Sequence, residues 1–394
     1  MSREQLYDAV IVGGGPAGAT AATDLAKAGR FVLLLDKAGR IKPCGGAIPP
    51  RLIADFAIPD HLLVAKATSA RMIAPSNETV EMPVGQNGFV GMVDRDKYDE
   101  WLRERAALCG AERATGKFQR IERDESGIAT VHYDGPDGAA SVRTRMVIGA
   151  DGARSAVARQ NIAGAEKMPC VFAYHEVVKS PLKGKGGFDP ERCDVVYQGH
   201  LSPDFYAWVF PHGDTASIGV GSAHKGFALR EAVETLRRTT GLDACETVRG
   251  EGAPIPLKPL KRWDNGRDVL VIGDAAGVVA PASGEGIYYA MASGRFAAEA
   301  VETYLATGKV SALKLARRNF MAEHGRVFWV LRMMQYFWYA NDKRRERFVT
   351  MCADPDVQRL TWQAYMNKRL VRADPMAHVR IFMKDMRHLL SSAV

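Results

Sequence analysis

Six cysteines in 394 residues, at positions 44, 109, 170, 193, 245 and 352, include no Cys-x-x-Cys pair. That scatter excludes a disulfide framework, a zinc ribbon and a thiolate-held iron–sulfur centre, and it suits a reducing compartment with no metal site. No stretch reaches the ~18 apolar residues that a membrane-spanning helix requires. The N-terminus is polar and runs straight into an apolar strand, so neither a secretory signal nor a transit peptide is expected, and the location expected is cytoplasmic. Acidic residues are scarce in one region only. Residues 301–394 hold 17 Lys and Arg against 8 Asp and Glu, whereas the remainder holds 36 against 37. The whole basic excess therefore sits at the C-terminal end, which points to an anionic surface touching that segment and gives no sign of nucleic acid as a partner.

Glycine is plentiful, and two glycine-rich stretches far apart organise the chain. The first is Ala9-Val10-Ile11-Val12-Gly13-Gly14-Gly15-Pro16-Ala17-Gly18; the second is Val269-Leu270-Val271-Ile272-Gly273-Asp274-Ala275-Ala276-Gly277. Each is a short apolar run ending in small residues, the pattern of a buried parallel strand feeding a helix. Gly13, Gly15 and Gly18 fit G-x-G-x-x-G. The first permits a tight turn, the second lets backbone approach a pyrophosphate, and the third lets the helix sit close to the strand. The helix start at Pro16 and Ala17 offers the anion free N–H groups and a favourable dipole. A helix is predicted over 17–28, stopped by Gly29, and then a strand over 31–35 ends in Asp36. An acid about 20 residues beyond the glycines is where a ribose contact belongs. A carboxylate there favours an unphosphorylated ribose, hence FAD or NAD rather than NADP. No second G-x-G-x-x-G follows a later strand, so a second dinucleotide would use an open groove.

The stretch Lys42-Pro43-Cys44-Gly45-Gly46 is a loop by composition. Its cysteine is either held on close-approach backbone facing a ligand or is a small buried residue in a turn. A helix is predicted over 97–109 with Asp96 as its cap. Arg95, just ahead, reaches a phosphate or makes a surface salt bridge. Residues 117–148 alternate as a hairpin and lead to an elbow at Gly149-Ala150-Asp151-Gly152. From about 168 to 260 the texture is period-two strands. There Tyr206, Trp208 and Phe210 leave one face of a strand that Pro211 ends, as core or as the wall of a ligand cavity. Pro281-Ala282-Ser283-Gly284-Glu285-Gly286-Ile287 then opens a small-residue helix over 288–304, whose start faces a second anionic part of the same ligand.

These patterns predict an α/β fold, an α+β composite. A Rossmann-type dinucleotide-binding domain at 1–165 and 262–310 receives an antiparallel-sheet substrate domain at 166–261, and a helical segment follows at 311–394. That last segment mixes Phe328–Tyr339 with Lys343-Arg344-Arg345, and Trp362 and Tyr365 with Lys368, Arg369 and Arg372. An interfacial helix on anionic lipid, the rim of an apolar tunnel, or a packed hairpin with a basic face all fit the mixture.

Together the motifs resemble the FAD-dependent geranylgeranyl reductase family within the p-hydroxybenzoate hydroxylase-like flavoproteins, over nearly the whole chain. The group's hallmarks are Gly13-x-Gly15-x-x-Gly18, Asp151-Gly152 and Gly273-Asp274. The reductase branch adds Pro43-Cys44-Gly45-Gly46 and Tyr206-x-Trp208-x-Phe210-Pro211 followed by Gly219 and Gly221. Lys42 to Pro49, Ile58 to Leu63 and Ala74 to Asn77 are similar to the chlorophyll and bacteriochlorophyll branch, in its bacterial form. The resemblance implies FAD with its pyrophosphate on Gly13, Gly15, Pro16, Ala17 and Gly18 and its ribose on Asp36 beside Lys37. Asp36 stands where the group usually has glutamate. It further implies cofactor contacts from Cys44, Gly45, Gly46, Arg95, Asp151, Gly152, Gly273, Asp274, Pro281, Gly284, Gly286 and Ile287. Cys44 would lie beside the isoalloxazine, and Tyr206, Trp208 and Phe210 would line the prenyl cavity.

The implied reaction is NADPH-driven, stepwise saturation of a geranylgeranyl chain to phytyl, on a prenylated pigment or a prenyl diphosphate, at the cytoplasmic side of a photosynthetic membrane. Cys44 is the candidate proton donor, on placement only. Two other readings compete: an aromatic hydroxylase of the same fold, and a membrane-docked flavoprotein that carries electrons or supports pigment assembly.

Overall fold

The protein is described here by a computed structural model covering residues 5–368 except 38, 40, 86, 87, 182, 183, 185 and 186. It divides into two compact units. The first takes residues up to 46, 93–173 and 252–331; the second takes 47–92, 174–251 and those from 332 on.

In the first unit a five-stranded parallel sheet runs in the order Val269–Val271, Val147–Gly149, Ala9–Val12, Val32–Asp36, Glu112–Thr115. Its three middle strands are almost wholly buried. That is why they read as unbroken apolar runs and not as alternation: a parallel sheet is covered on both faces. The helix Pro16–Lys27 packs between the helices Ile287–Thr307 and Arg95–Leu108. Alanine, glycine and threonine along it allow that close approach. The helix Arg95–Leu108 begins two residues earlier than the sequence suggests, with Asp94 at its N-cap and Asp96 inside its first turn. The expected hairpin is a three-stranded meander, Lys117–Arg123, Ala129–Gly135 and Gly138–Thr144.

In the second unit a seven-stranded sheet has the order Thr247–Pro256, Cys170–Lys179, Thr215–Ser222, Ala207–His212, Arg192–Val196, Ser69–Ile73, Thr79–Pro83. Residues 47–92, grouped by sequence with the dinucleotide domain, belong here. Ser69–Ile73 pairs in parallel with Arg192–Val196, Ala70 opposite Cys193. A parallel partner so distant in sequence leaves no local trace. One face of the sheet buries Ala207, Val209, Ala216, Ile218 and Val220 with Val233 and Leu236 of the helix Leu229–Thr239. Each fully buried Val, Ile or Leu among them contributes about 1.5–3 kcal/mol. Pro211 does not end its strand, which runs on to His212 paired with Thr215–Ser222. Pairing with Arg192–Val196 extends only as far as Val209, so the missing N–H of Pro211 faces an edge.

From residue 332 on, the C-terminal helices are part of this unit, whereas most of the helix Lys314–Trp338 belongs to the first. Tyr339 and Phe348 close around Tyr197, with ring centroids 5.3 and 5.1 Å away. Trp362 and Tyr365 pack on Ala67, Ala70, Val90, Met92 and Cys193. Arg345 is 2% exposed and donates to Asp342 and to the carbonyl oxygens of Pro203 and Tyr339. Part of the basic run is therefore internal. Arg369 and Arg372 lie outside the described residues.

Candidate functional site

The glycine loop has the shape of an anion cradle. Gly13 adopts φ +109°, and a side chain there would collide with the Ala150 carbonyl oxygen. A Cβ on Gly18 would strike the Gly13 carbonyl, whereas one on Gly15 would meet nothing within 4 Å. Two glycines are closed by the protein's own backbone and the third opens onto free space. The helix that follows starts at Pro16 with no side-chain cap, so its first N–H groups face that space.

Asp36 ends its strand directly against the loop: a Cβ on Gly14 would stand 2.9 Å from the Asp36 Cβ. Arg103 Nη1 bridges the Asp36 carboxylate (3.4 Å) and the Gly14 carbonyl (3.3 Å). Lys37 is exposed beyond it. The second glycine stretch leads into a turn where Asp274, 8% exposed, is ion-paired with Lys42. Gly273 N–H donates to the buried Ser293 hydroxyl (2.9 Å), tying that turn to the helix Ile287–Thr307, which Gly286 caps. Before it, Ala280 and Glu285 are bridged backbone to backbone around Pro281 and Gly284, with Ala282 at φ +62°. A left-handed alanine stores local strain of the kind found at ligand-holding turns.

Cys44 is half-buried, and its sulfur accepts from Gly46 N–H at 3.4 Å. Its other neighbour is Arg95, which is not a free phosphate arm. Arg95 is 5% exposed and makes a bidentate pair with Asp99 (2.8 and 2.7 Å). Burial works against its charge, yet Asp99 and a hydrogen bond to Cys44 hold the guanidinium protonated, its pKa raised. Asp151 is likewise engaged within the protein. Its carboxylate takes the Ser155 hydroxyl and the N–H groups of Ala156 (2.6 Å) and Val157 (3.2 Å), capping the helix Ala156–Asn161. Burial pushes its pKa up and these bonds oppose the shift. The elbow's open side is Gly152, at φ +85° with nothing within 4 Å of its Cβ position.

In the second unit Tyr206, Trp208 and Phe210 form a continuous row, with ring centroids 6.0 and 6.3 Å apart. They lie on the sheet face opposite the helix Leu229–Thr239. Trp208 Nε1–H donates to Ser217 Oγ at 3.1 Å.

Residues 11–52 match a family model described as an NAD(P)-binding Rossmann-like domain, 61–184 one described as an FAD binding domain, and 224–390 one described as a lycopene cyclase protein. A geranylgeranyl diphosphate reductase from Rhodobacter capsulatus is 60% identical over 97% of both chains. The chain belongs to the geranylgeranyl reductase family. A chloroplastic relative of the same name from Oryza sativa is 38% identical over 94% of this chain and 83% of its own. The fold of this reductase is that of a geranylgeranyl bacteriochlorophyll reductase-like protein from Thermoplasma acidophilum, with a TM-score of 0.81 and 21% identity over 95% of this chain and 100% of that one.

FAD and NADPH are the cofactors of this family assignment, and the residues fit a dinucleotide. The open space at Gly15, the uncapped helix start and a carboxylate at the end of the next strand are what a pyrophosphate and a ribose need. Three partners escaped the sequence reading: Lys42 on Asp274, Arg103 on Asp36, and Asp99 on Arg95. Asp99 stands four residues after Arg95, a helical spacing, but the helix predicted over 97–109 left Arg95 outside it.

Proposed function

We propose that this reductase saturates the isolated double bonds of a geranylgeranyl chain, carried on a pigment ester or a diphosphate, stepwise to phytyl. The observation that carries the reading is the presence, in one chain, of the glycine cradle and of the Tyr206–Trp208–Phe210 row on the sheet face opposite the helix Leu229–Thr239. FAD, when bound, supplies hydride transfer to an alkene carbon, with NADPH as the electron source. The glycine loop and Asp36 hold its pyrophosphate and ribose, and Gly286 and Ile287 present a helix start to the flavin end. An isolated alkene offers no carbonyl for an oxyanion hole, so holding the chain in a dry, apolar place does most of the work. An aromatic row has no fixed polar register, which lets a chain slide from one double bond to the next.

Cys44 supplies the second hydrogen in this reading. Arg95 and Gly46 both aim donors at its sulfur, which fixes the side chain and leaves the S–H proton free to point elsewhere. Cys44→Ala is expected to retain FAD while reduction slows or stops at partly saturated products. Full-length reduction at the wild-type rate would remove Cys44 from the mechanism.

Among the described residues no helix is long and apolar enough to cross a membrane. On the helix Lys314–Trp338, however, Trp329, Met333, Tyr336 and Phe337 are exposed at helical spacing, with Arg326 and Arg332 exposed beside them. This face, rather than Trp362 and Tyr365, is the proposed contact with anionic lipid. Trp329→Ala combined with Tyr336→Ala should abolish flotation with anionic liposomes; flotation equal to wild type refutes the assignment.

The enzyme reading is tested by anaerobic incubation with NADPH and geranylgeranyl-bacteriochlorophyll or geranylgeranyl diphosphate, read by mass spectrometry. A ladder of products each two hydrogens heavier supports it and names the substrate. Bleached flavin with both prenyl chains unchanged would leave the hydroxylase or carrier readings.

A further inference from the structure

The sheet face that bears the aromatic row also carries polar groups that the proposed reaction does not use. Trp208 stands opposite Gly219 and Phe210 opposite Ser217 in the antiparallel register. To reach Ser217 the indole must lie along the neighbouring strand, and Gly219 is what permits it. A Cβ there would collide with the indole ring and stand 2.6 Å from the Cβ of His175 on the next strand. His175 is 3% exposed, with its Nδ1 2.9 Å from Ser217 Oγ and its Nε2 3.3 Å from Glu251 Oε1. Glu251 is in turn paired with Arg249 at 3.2 Å.

Donor chemistry orders this chain. An indole N–H can only donate, so Ser217 accepts from Trp208. The Ser217 oxygen keeps a second lone pair, so it donates to an accepting His175 Nδ1 or accepts from a protonated one, and the 2.9 Å contact holds it either way. The Glu251 carboxylate facing Nε2 favours a proton on that nitrogen. At 3.3 Å that last approach lies off the ideal hydrogen-bond line. Burial pushes the Glu251 carboxyl up, but His175 and Arg249 outweigh it and hold its pKa below the ordinary value. Glu251 is thus an anionic acceptor fixed from two sides. Four side chains from four adjacent strands form one contiguous polar chain, ending at the indole of the proposed substrate row.

We infer that His175, acting through Ser217, is a positioning residue that locks the Trp208 indole in the prenyl-binding row. The inference rests on the substrate reading of that row. A locked indole gives the row a single width, which a sliding chain meets identically at each double bond; a free one gives several.

The test uses full-length, FAD-loaded protein carrying Ser217→Ala, His175→Phe or His175→Gln. Indole N–H resonances are recorded after ¹⁵N-tryptophan labelling, with Trp208→Phe to assign the signal. Flavin content, KM and kcat for the prenyl substrate are measured alongside. Gln offers an acceptor to Ser217 and a donor to Glu251, so His175→Gln should keep the wild-type resonance and kinetics. Ser217→Ala and His175→Phe should both shift the Trp208 resonance, raise KM roughly fivefold to tenfold and release partly reduced products, with flavin content unchanged. If His175→Phe loses flavin or fails to fold, Ser217→Ala decides, because it removes a single oxygen. An unmoved resonance in Ser217→Ala, or a His175→Gln protein as impaired as a folded His175→Phe protein, overturns the inference. Wild-type protein inert toward every prenyl substrate overturns the substrate reading instead, and the resonance test still judges the anchoring.

Discussion

Gly13→Ala protein is expected to purify without FAD. At φ +109° the backbone occupies a region that L side chains rarely adopt, and the added methyl would sit on the Ala150 carbonyl of the adjacent strand. Neither strain can relax locally, because Gly13 N–H is bonded to the Leu35 carbonyl (2.8 Å) and Ala150 N–H to the Val12 carbonyl (2.7 Å). The loop must therefore leave the strands that aim it, and the N–H groups that would meet the pyrophosphate lose their common direction. Strain of about 3 kcal/mol corresponds to a loss of more than a hundredfold in FAD affinity. Gly15→Ala is the informative companion. Its methyl enters open space, so the apo-protein should melt like wild type while flavin binding still falls. Flavin absorbance per protein and thermal melts of both variants give the answer. Gly13→Ala protein that retains full flavin would mean that the cradle is not where the cofactor is held.

The second large effect is expected at Arg95. Arg95→Met leaves Asp99, 7% exposed, as a buried carboxylate without its bidentate partner. Breaking such a pair costs about 3–5 kcal/mol, whereas replacing both members by apolar groups is often close to neutral. Arg95→Met combined with Asp99→Leu should therefore recover most of the lost stability. It should not recover the reaction rate, because the guanidinium that holds the Cys44 sulfur is still missing. Urea unfolding and single-turnover reduction of the prenyl substrate separate the two roles. If rate returns together with stability in the double variant, Arg95 serves the fold alone.

The contrast between the two sites shows what kind of information lies in a local stretch. The glycine loop was legible because a tight turn, a close approach and a helix start are each settled within a few residues, and glycine is the only residue type that satisfies them. The parallel strands were legible for a similar reason: burial on both faces leaves an apolar run. The Tyr206–Trp208–Phe210 row was legible as a face, since alternation is a property of the strand alone. Whether that face was core was not, because the answer depends on what covers it. The helix Leu229–Thr239 covers the opposite face, while Tyr206 and Trp208 are themselves buried and Phe210 packs on the same cluster as Trp362 and Tyr365.

Charged residues were the least legible. Arg95 and Asp151 both carry motifs associated with a cofactor, and both are turned to partners inside the protein, Asp99 with Cys44 and the start of the helix Ala156–Asn161 respectively. Lys343-Arg344-Arg345 reads as one basic run, yet Arg345 is internal while Arg326 and Arg332 remain outside. A charge is placed by whatever lies opposite it in three dimensions, and Lys42 with Asp274, or His175 with Glu251, are brought together only by the sheet. Local patterns sufficed for the glycine loop of the first βαβ turn, for the reductase family and for the buried parallel strands. Only long-range contacts place residues 47–92 and those from 332 on in the second unit, and only they show which ionic side chains meet. Backbone conformation is set over short range, whereas parallel pairing and charge pairing join residues that no local pattern connects.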